Sequence, residues 1–362
     1  MRVQAGAAGA LVRTGPRAGS PSGAQGVLLL TLRALVAGTA LALVASAAQA
    51  PAEAPAGDNL LEQARLAAER LSFNGLVQVV WRESTGSHSE SLLVQAAGGT
   101  LEVKGDTTVM ADGDRARMVR RQRGEWDLLW SGALGSAGRP DVSTKYALVP
   151  TGEAPVAGRP TTLVEVRRGE VVRQRLYLDR ETNLLLRREQ LNDAGSLERL
   201  VYFVTFSLDR ASPAPDMPIR AIDHAAHEVS PRDLSPSFPA PAALDLGYRR
   251  IGTFAEGQVV HVLYSDGLYD LSVFEQRGRL EPRDVPPGGR RQAVGGTRAW
   301  AFAWPGGNLL LWHAGHNVYT AVSDAPLADL LGVARSLPST GRPPSLADRL
   351  RRACHALVAP LG

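Results

Sequence analysis

Two histidine pairs are the residues best suited by type to hold a metal or move a proton. His224 and His227 lie three apart with Asp223 and Glu228 close by, and His313 and His316 bracket a short turn segment. A structural or catalytic zinc needs three or four nitrogen, sulfur or oxygen ligands converging on one point. The chain has seven scattered histidines and one cysteine, Cys354, so neither pair finds the rest of a ligand set close in sequence. Surface histidines in polar loops account for both pairs. Nucleophile motifs are missing as well: the chain has no G-x-S-x-G elbow, no glycine loop shaped to cradle phosphate and no H-E-x-x-H helix. A triad assembles in space rather than in sequence, yet no serine stands out as a nucleophile. We therefore expect a non-enzyme with no catalytic residue, no metal and no cofactor.

What the sequence does display is a scaffold. In "LYLDRETNLLLRREQLNDAGSLERLVYF", Leu176 to Phe203, three apolar runs are separated by "DRETN" and "NDAGS". Short polar turns rich in Gly, Asn and Asp between such runs predict an antiparallel meander. The same pattern runs back to Phe73. In "FNGLVQVVW", Phe73, Gly75, Val77, Val79 and Trp81 alternate onto one face of a strand. The segments "ESLLVQA", "TLEVKG", "ARMVRRQ", "WDLLW", "TTLVEVRR" and "VVRQRLYLD" follow at short spacing. Ahead of them, "DNLLEQARLAAERL" predicts a helix capped by Asp58, with Leu60, Leu61, Ala64, Ala67, Ala68 and Leu71 on one face. One helix over eight or nine strands makes a curved sheet covered on part of one side.

Seven prolines between Asp209 and Leu246 break the rhythm, which predicts an extended linker. A smaller antiparallel domain follows. "QVVHVLYSDGLYDLSVFEQ" reads as a hairpin with a type I′ turn at Asp266-Gly267, which requires positive φ at Gly267. "TRAWAFAWPGGNLLLWHAGHNVYTAVSD" supplies three more strands, and "PLADLLGVARSL" a helix beginning near Pro326. The fold class is α+β, mostly antiparallel β, with a basic tail over 339–362 that has helical spacing.

Charge excludes one large class of function. The formal charge of +4 and the pI of about 9.5 originate in the first 50 residues, which hold Arg2, Arg13, Arg17 and Arg33 and no acid. Taking those four from the 40 basic residues leaves a number equal to the 36 acidic ones. A neutral body has no cation surplus with which to displace counterions, so no nucleic-acid partner is expected. The same 50 residues read as an export signal, with the apolar run Ala34 to Ala48 and the small-x-small site Ala48-Gln49-Ala50. Retention as an anchor is the alternative, but Arg33 interrupts the longer apolar span.

Aromatic and aliphatic residues concentrate on the larger sheet: Trp81, Trp126, Trp130, Tyr146, Phe203 and Phe206. An apolar sheet face with one covering helix either packs as an ordinary core or leaves a concave surface for an acyl chain or an apolar peptide.

A family resemblance adds to this reading. "VAGRPTTLVEVRRGEVVRQRLYLDRETNLLLRREQLNDAGSLERLVYFVTFSL", the opening "LSFNGLVQVVW" and the Tyr264–Leu268 motif "YSDGL" resemble the RseB/MucB family of exported regulators of stress sigma factors. "TRAWAF" and "VYTAVSDAPLADLLGVARSL" are similar to its final strands and helix. The sequence departs from the family pattern where "VSDAP", with Ser323 and Asp324, replaces a glycine-glutamate pair.

The resemblance implies the following domain plan: a signal peptide over 1–50, a LolA-like half-barrel over 58–209, a Pro-rich linker over 210–246 and a smaller sheet-plus-helix domain over 247–338. It implies a lipid cavity lined by Phe73, Val77, Val79, Trp81, Trp126, Leu128, Trp130 and Phe203. It also implies partner contacts at Tyr264, Ser265, Asp266, Leu268 and Asp324. The partner would be the extracytoplasmic domain of an anti-sigma factor, shielded from proteolysis, with a lipid-like ligand as signal. A LolA-like lipid or lipoprotein carrier is the alternative, and a homo-oligomer is left open. The implied location is extracytoplasmic, soluble after cleavage.

Overall fold

The structure is a computed structural model that describes residues 59–337, apart from 84–85, 98–99, 106–107, 113–114, 123–124, 134–139, 209–226, 235–237, 239, 257, 283–284 and 305. The side chains of 106–139 also lie outside the description. The expected signal peptide, Asp58, His224, most of the linker and the basic tail with Cys354 therefore fall outside the described residues.

Helix α1 (Asn59–Arg70) leads into a sheet of eleven antiparallel strands. These are β1 (Phe73–Glu83), β2 (Gly86–Ala97), β3 (Thr100–Lys104), β4 (Thr108–Asp112), β5 (Arg115–Gln122), β6 (Glu125–Ala133), β7 (Ala147–Val156), β8 (Arg159–Arg168), β9 (Val171–Asp179), β10 (Leu185–Leu191) and β11 (Leu197–Ser207). Their order, β6-β5-β4-β3-β2-β1-β11-β10-β9-β8-β7, is two meanders joined where the first strand pairs with the last. The sheet is open, with β6 and β7 at its edges.

The turns explain how the second meander keeps its register. Asp179 is fully buried, and its carboxylate accepts hydrogen bonds from the backbone N–H of Glu181 (3.0 Å) and Thr182 (2.9 Å) and from Arg159 Nη2 (3.0 Å). Burial alone would raise its pKa, but the Arg159 guanidinium and these donors hold it below the ordinary carboxylate value. In the next turn the Asn192 side chain accepts from Ala194 N (3.0 Å) and Ser196 N (2.9 Å). Both are the side-chain-to-backbone turns for which Asp and Asn are favoured.

Two strands of this sheet were absent from the sequence reading. Strand β7 carries Pro150, Gly152 and Pro155, which argue against a central strand. It is in fact an edge strand, with a bulge between Pro150 and Gly152, where a missing N–H costs no ladder bond. Strand β4 is only five residues long, too short to show an alternation.

The inward faces of β1, β2, β3 and β11 pack with α1 into one core of Phe73, Val77, Val79, Val94, Leu101 and Phe203. Gly75 is required there. A Cβ on it would lie 2.2 Å from Thr205 O and 2.7 Å from the Phe203 ring. The outward face of β8 to β10 is a ladder of ion pairs, with Glu165 held by Arg167 and Arg175 and Glu189 by Arg187 and Arg175.

The second sheet has eight strands: β12 (His227–Glu228), β13 (Arg249–Glu256), β14 (Val259–Ser265), β15 (Asp270–Arg277), β16 (Arg290–Val294), β17 (Thr297–Trp304), β18 (Gly307–Ala314) and β19 (Asn317–Ser323). The order is β12-β13-β14-β15-β19-β18-β17-β16, and helix α2 (Leu327–Ser336) follows. Pro326 is the N-cap of α2, as the sequence suggests, and Leu330, Val333 and Ala334 form its buried stripe. The β14–β15 hairpin differs from expectation. Ser265 pairs with Asp270, so four residues make the turn instead of two. Gly267 has the expected positive φ (91°), but Asp266 does not, so the turn is not type I′.

Candidate interdomain joint and cleft

The concave face left open by the sequence is occupied at its β7–β9 end by the second domain. One continuous core joins Leu148, Val164, Val166, Leu176 and Leu178 of the first sheet to Val262, Tyr264, Leu271 and Tyr319 of the second. The helical turn Val142–Thr144, capped by Asp141, presents Lys145 and Tyr146 to the β14–β15 turn. Asp266 is almost fully buried there. One of its oxygens accepts from Leu268 N (3.0 Å) and Tyr269 N (2.8 Å), and the other from Tyr146 Oη (2.7 Å) and from Lys145 Nζ. The Tyr146 and Tyr269 rings meet edge to face at 6.4 Å. Burial pushes the Tyr146 phenol up, and the neighbouring Asp266 charge pushes it further, so Tyr146 stays a neutral donor.

Three arginines on adjacent strands complete the joint. Arg173 on β9 donates to Asp329 of α2 (2.8 Å) and pairs with Asp193. Arg188 on β10 donates to Asp324 (2.7 Å) and to Gln174 (3.0 Å). Arg199 on β11 lies 3.5 Å from the Asp324 carbonyl and 3.4 Å from Gln190 Oε1. Buried charge pairs of this kind cost desolvation, so they contribute modest net stability. Breaking one is costly because it leaves its partner unpaired in a low-dielectric setting.

The residues expected to contact a partner fall in and beside this joint. Tyr264, Ser265 and Asp266 are at most 1% exposed, Leu268 packs against the shared core, and Asp324 is paired with Arg188. Asp266 and Asp324 bond across the joint and Leu268 packs against its core, with Leu268 and Asp324 partly exposed. Gly267 belongs to the same contact, since an added Cβ would sit 2.8 Å from Pro140 O and 3.0 Å from Val142. Gly267→Val should therefore lower stability by about 3 kcal/mol or more, combining turn strain with a backbone collision. An unchanged Tm would show that the turn does not bear on the first domain.

The residues expected to line a cavity are distributed over the first sheet. Phe73, Val77, Val79 and Phe203 are buried core residues, and the Phe73, Phe203 and Phe206 rings contact one another at 5.2–6.1 Å. Trp81 is half-buried, stacks on His88 and donates its indole N–H to Glu83 (3.0 Å). Trp126, Leu128 and Trp130 lie on β6, but their side chains are outside the described residues. Among the described residues no group of three potential metal ligands comes together, and no helix is long and apolar enough to cross a membrane.

A feature the sequence reading missed lies at the far end of the joint. A cleft of about 260 Å³ opens between the ends of β1, β10 and β11 and the strands β16 to β18. Arg82, Arg199 and Arg290 line it together with Glu83 and Glu198. Phe302 and Leu327 supply apolar wall. Burial lowers the Arg199 pKa to about 10, which keeps it charged at neutral pH. Burial also raises the Glu198 carboxyl above its ordinary value, against the pull of Arg199 and Arg173. Residues from seven elements of both sheets and α2 meet here, and no local pattern signals that.

Comparison with known proteins follows from this architecture. The structure of the Pseudomonas aeruginosa MucA/MucB complex is 21% identical, with 79% of this chain and 99% of that one covered and a TM-score of 0.44. A crystal structure of MucB is 19% identical over 78% and 98%, with a TM-score of 0.44. A LolA superfamily protein from Nitrosomonas europaea is 10% identical over 75% and 92%, with a TM-score of 0.19. No curated protein matches the chain. Residues 104–225 match the family model for the MucB/RseB N-terminal domain, the same family that the sequence motifs resemble.

Proposed function

We propose that the protein is a non-enzymatic extracytoplasmic regulator that binds the extracytoplasmic domain of an anti-sigma factor and limits its proteolysis. The observation that carries this reading is the family-model match over residues 104–225, reinforced by the "VAGR" motif of the first sheet and the "YSDGL" motif of the second. The half-barrel and the smaller domain act as one latched body, because the joint is a continuous core closed by buried ion pairs. The lipid-like signal is read by the first domain. Its seat under this reading is the β4–β6 end of the sheet, where Trp126, Leu128 and Trp130 fall, because α1 and the phenylalanine cluster fill the β1–β3 part. Export rests on the basic, acid-free first 50 residues.

The test is a protection assay. Stoichiometric protein should slow cleavage of the anti-sigma extracytoplasmic domain by its envelope protease, and a lipid ligand should restore cleavage. Cleavage at the same rate with and without the protein would overturn the reading.

A further inference from the structure

The interdomain cleft has a composition that the joint does not need. Arg173, Arg188, Arg199, Lys145 and their partners close the interface, whereas Arg82 and Arg290 stand at the rim of the cleft, exposed. The acids of the lining do not offset all three cations. The lining holds three arginines against two glutamates, Glu198 and Glu83, the latter accepting from the Trp81 indole. The cleft is therefore electropositive, with a small apolar wall at Phe302 and Leu327.

Size narrows the ligand. At about 260 Å³ the cleft is smaller than the 300–1,000 Å³ or so of an ordinary small-molecule pocket. It admits one side chain or a small charged group and no acyl chain. Position narrows it further. Arg290 is the first residue of β16, which is an edge strand of the second sheet. Free backbone N–H and C=O groups on an edge strand bind extended polypeptide by strand addition, with side-chain pockets beside the edge giving selectivity. The amide side chains of Gln190, Asn192 and Asn308 also line the cleft, and amides suit a peptide backbone better than a headgroup.

We propose that this cleft receives an acidic side chain of an extended partner polypeptide, with the exposed Arg82 and Arg290 as the carboxylate-binding groups. The inference concerns the chemistry of the partner and stands whichever polypeptide is the physiological one.

The experiment is a selection of random decapeptides on the intact protein and on the Arg82→Glu/Arg290→Glu double variant, whose changed residues lie at the exposed rim. Selected peptides should carry Asp or Glu at one fixed position. A synthetic copy should bind the variant at least tenfold more weakly, the size expected for a close charge pair, and changing its acid to the amide should cost a similar factor. Failure to select peptides, the absence of an acidic position, or equal binding to the variant would each overturn the proposal. A parallel arm uses phosphatidylglycerol vesicles. Vesicle binding that the double variant abolishes while peptide binding persists would assign the arginines to a lipid headgroup and also overturn it. If acidic peptides bind as described but no anti-sigma domain does, the regulator reading fails and the cleft assignment stands.

Discussion

Replacing Asp266 with alanine is expected to destabilise the folded protein by about 3–5 kcal/mol, the usual consequence of removing one member of a buried ion pair. Asp266 is 1% exposed and serves four donors: Lys145, Tyr146 and the N–H groups of Leu268 and Tyr269. Its loss strands the Lys145 ammonium, whose side chain is only 15% exposed, and leaves the Tyr146 hydroxyl without its acceptor. Lys145→Met alone should cost less, because the two backbone donors and Tyr146 continue to satisfy Asp266. The double variant should cost less than the sum of the single ones, as for any pair in direct contact. Guanidinium unfolding followed by tryptophan fluorescence reads this. A loss under about 1 kcal/mol for Asp266→Ala would mean the joint contributes no more than an exposed pair.

Glu275 should make stability fall as pH rises. It is fully buried on β15, and among the described residues no donor reaches either carboxylate oxygen. Desolvation pushes its pKa up to about 8. The folded state therefore holds a proton that the unfolded state releases near 4.5, and folding weakens through the interval between the two values. Linkage puts the loss at roughly 3 kcal/mol between pH 5 and pH 8. Glu275→Gln keeps the shape and removes the titration, so its stability should no longer fall between about pH 6.5 and pH 8 and should exceed the wild type at pH 8. The acid side has the opposite slope. His261, stacked on Phe274 at 4.3 Å, has its pKa lowered by burial to about 4. Its charging in the unfolded state near 6.5 erodes stability as pH falls. The two slopes oppose each other between about pH 4.5 and pH 6.5, so the two groups together predict a broad stability plateau there and a fall above it. Parallel pH profiles for Glu275→Gln and wild type above pH 6 would refute the assignment.

Local rules were sufficient for much of the fold. The alternation Phe73, Val77, Val79 and Trp81 marks an inward face because period two places those residues on one side of β1, and "DRETN" and "NDAGS" are turns because Asp179 and Asn192 cap their own backbones. Strand β7 was hidden by its prolines, which are tolerated at a sheet edge that sequence alone does not identify.

The site was far less legible. Tyr146 and Asp266 are 120 residues apart, so "YSDGL" gives no sign that its aspartate faces the first domain. A motif containing Ser, Asp and Gly reads as exposed turn chemistry, whereas here the turn is buried and the second Asp266 oxygen is satisfied across the interface. The cleft poses the same difficulty more sharply, because Arg82, Arg199 and Arg290 share no spacing rule and meet only when both domains dock.

The central claim is that the protein binds an anti-sigma factor outside the cytoplasm. Calorimetric titration of the purified protein with the extracytoplasmic domain of each candidate anti-sigma factor from the same genome tests it most directly. The account predicts saturable binding to one of them, weakened by added lipid or detergent. No binding heat with any candidate would contradict it and would leave lipid carriage by the first domain as the function to pursue.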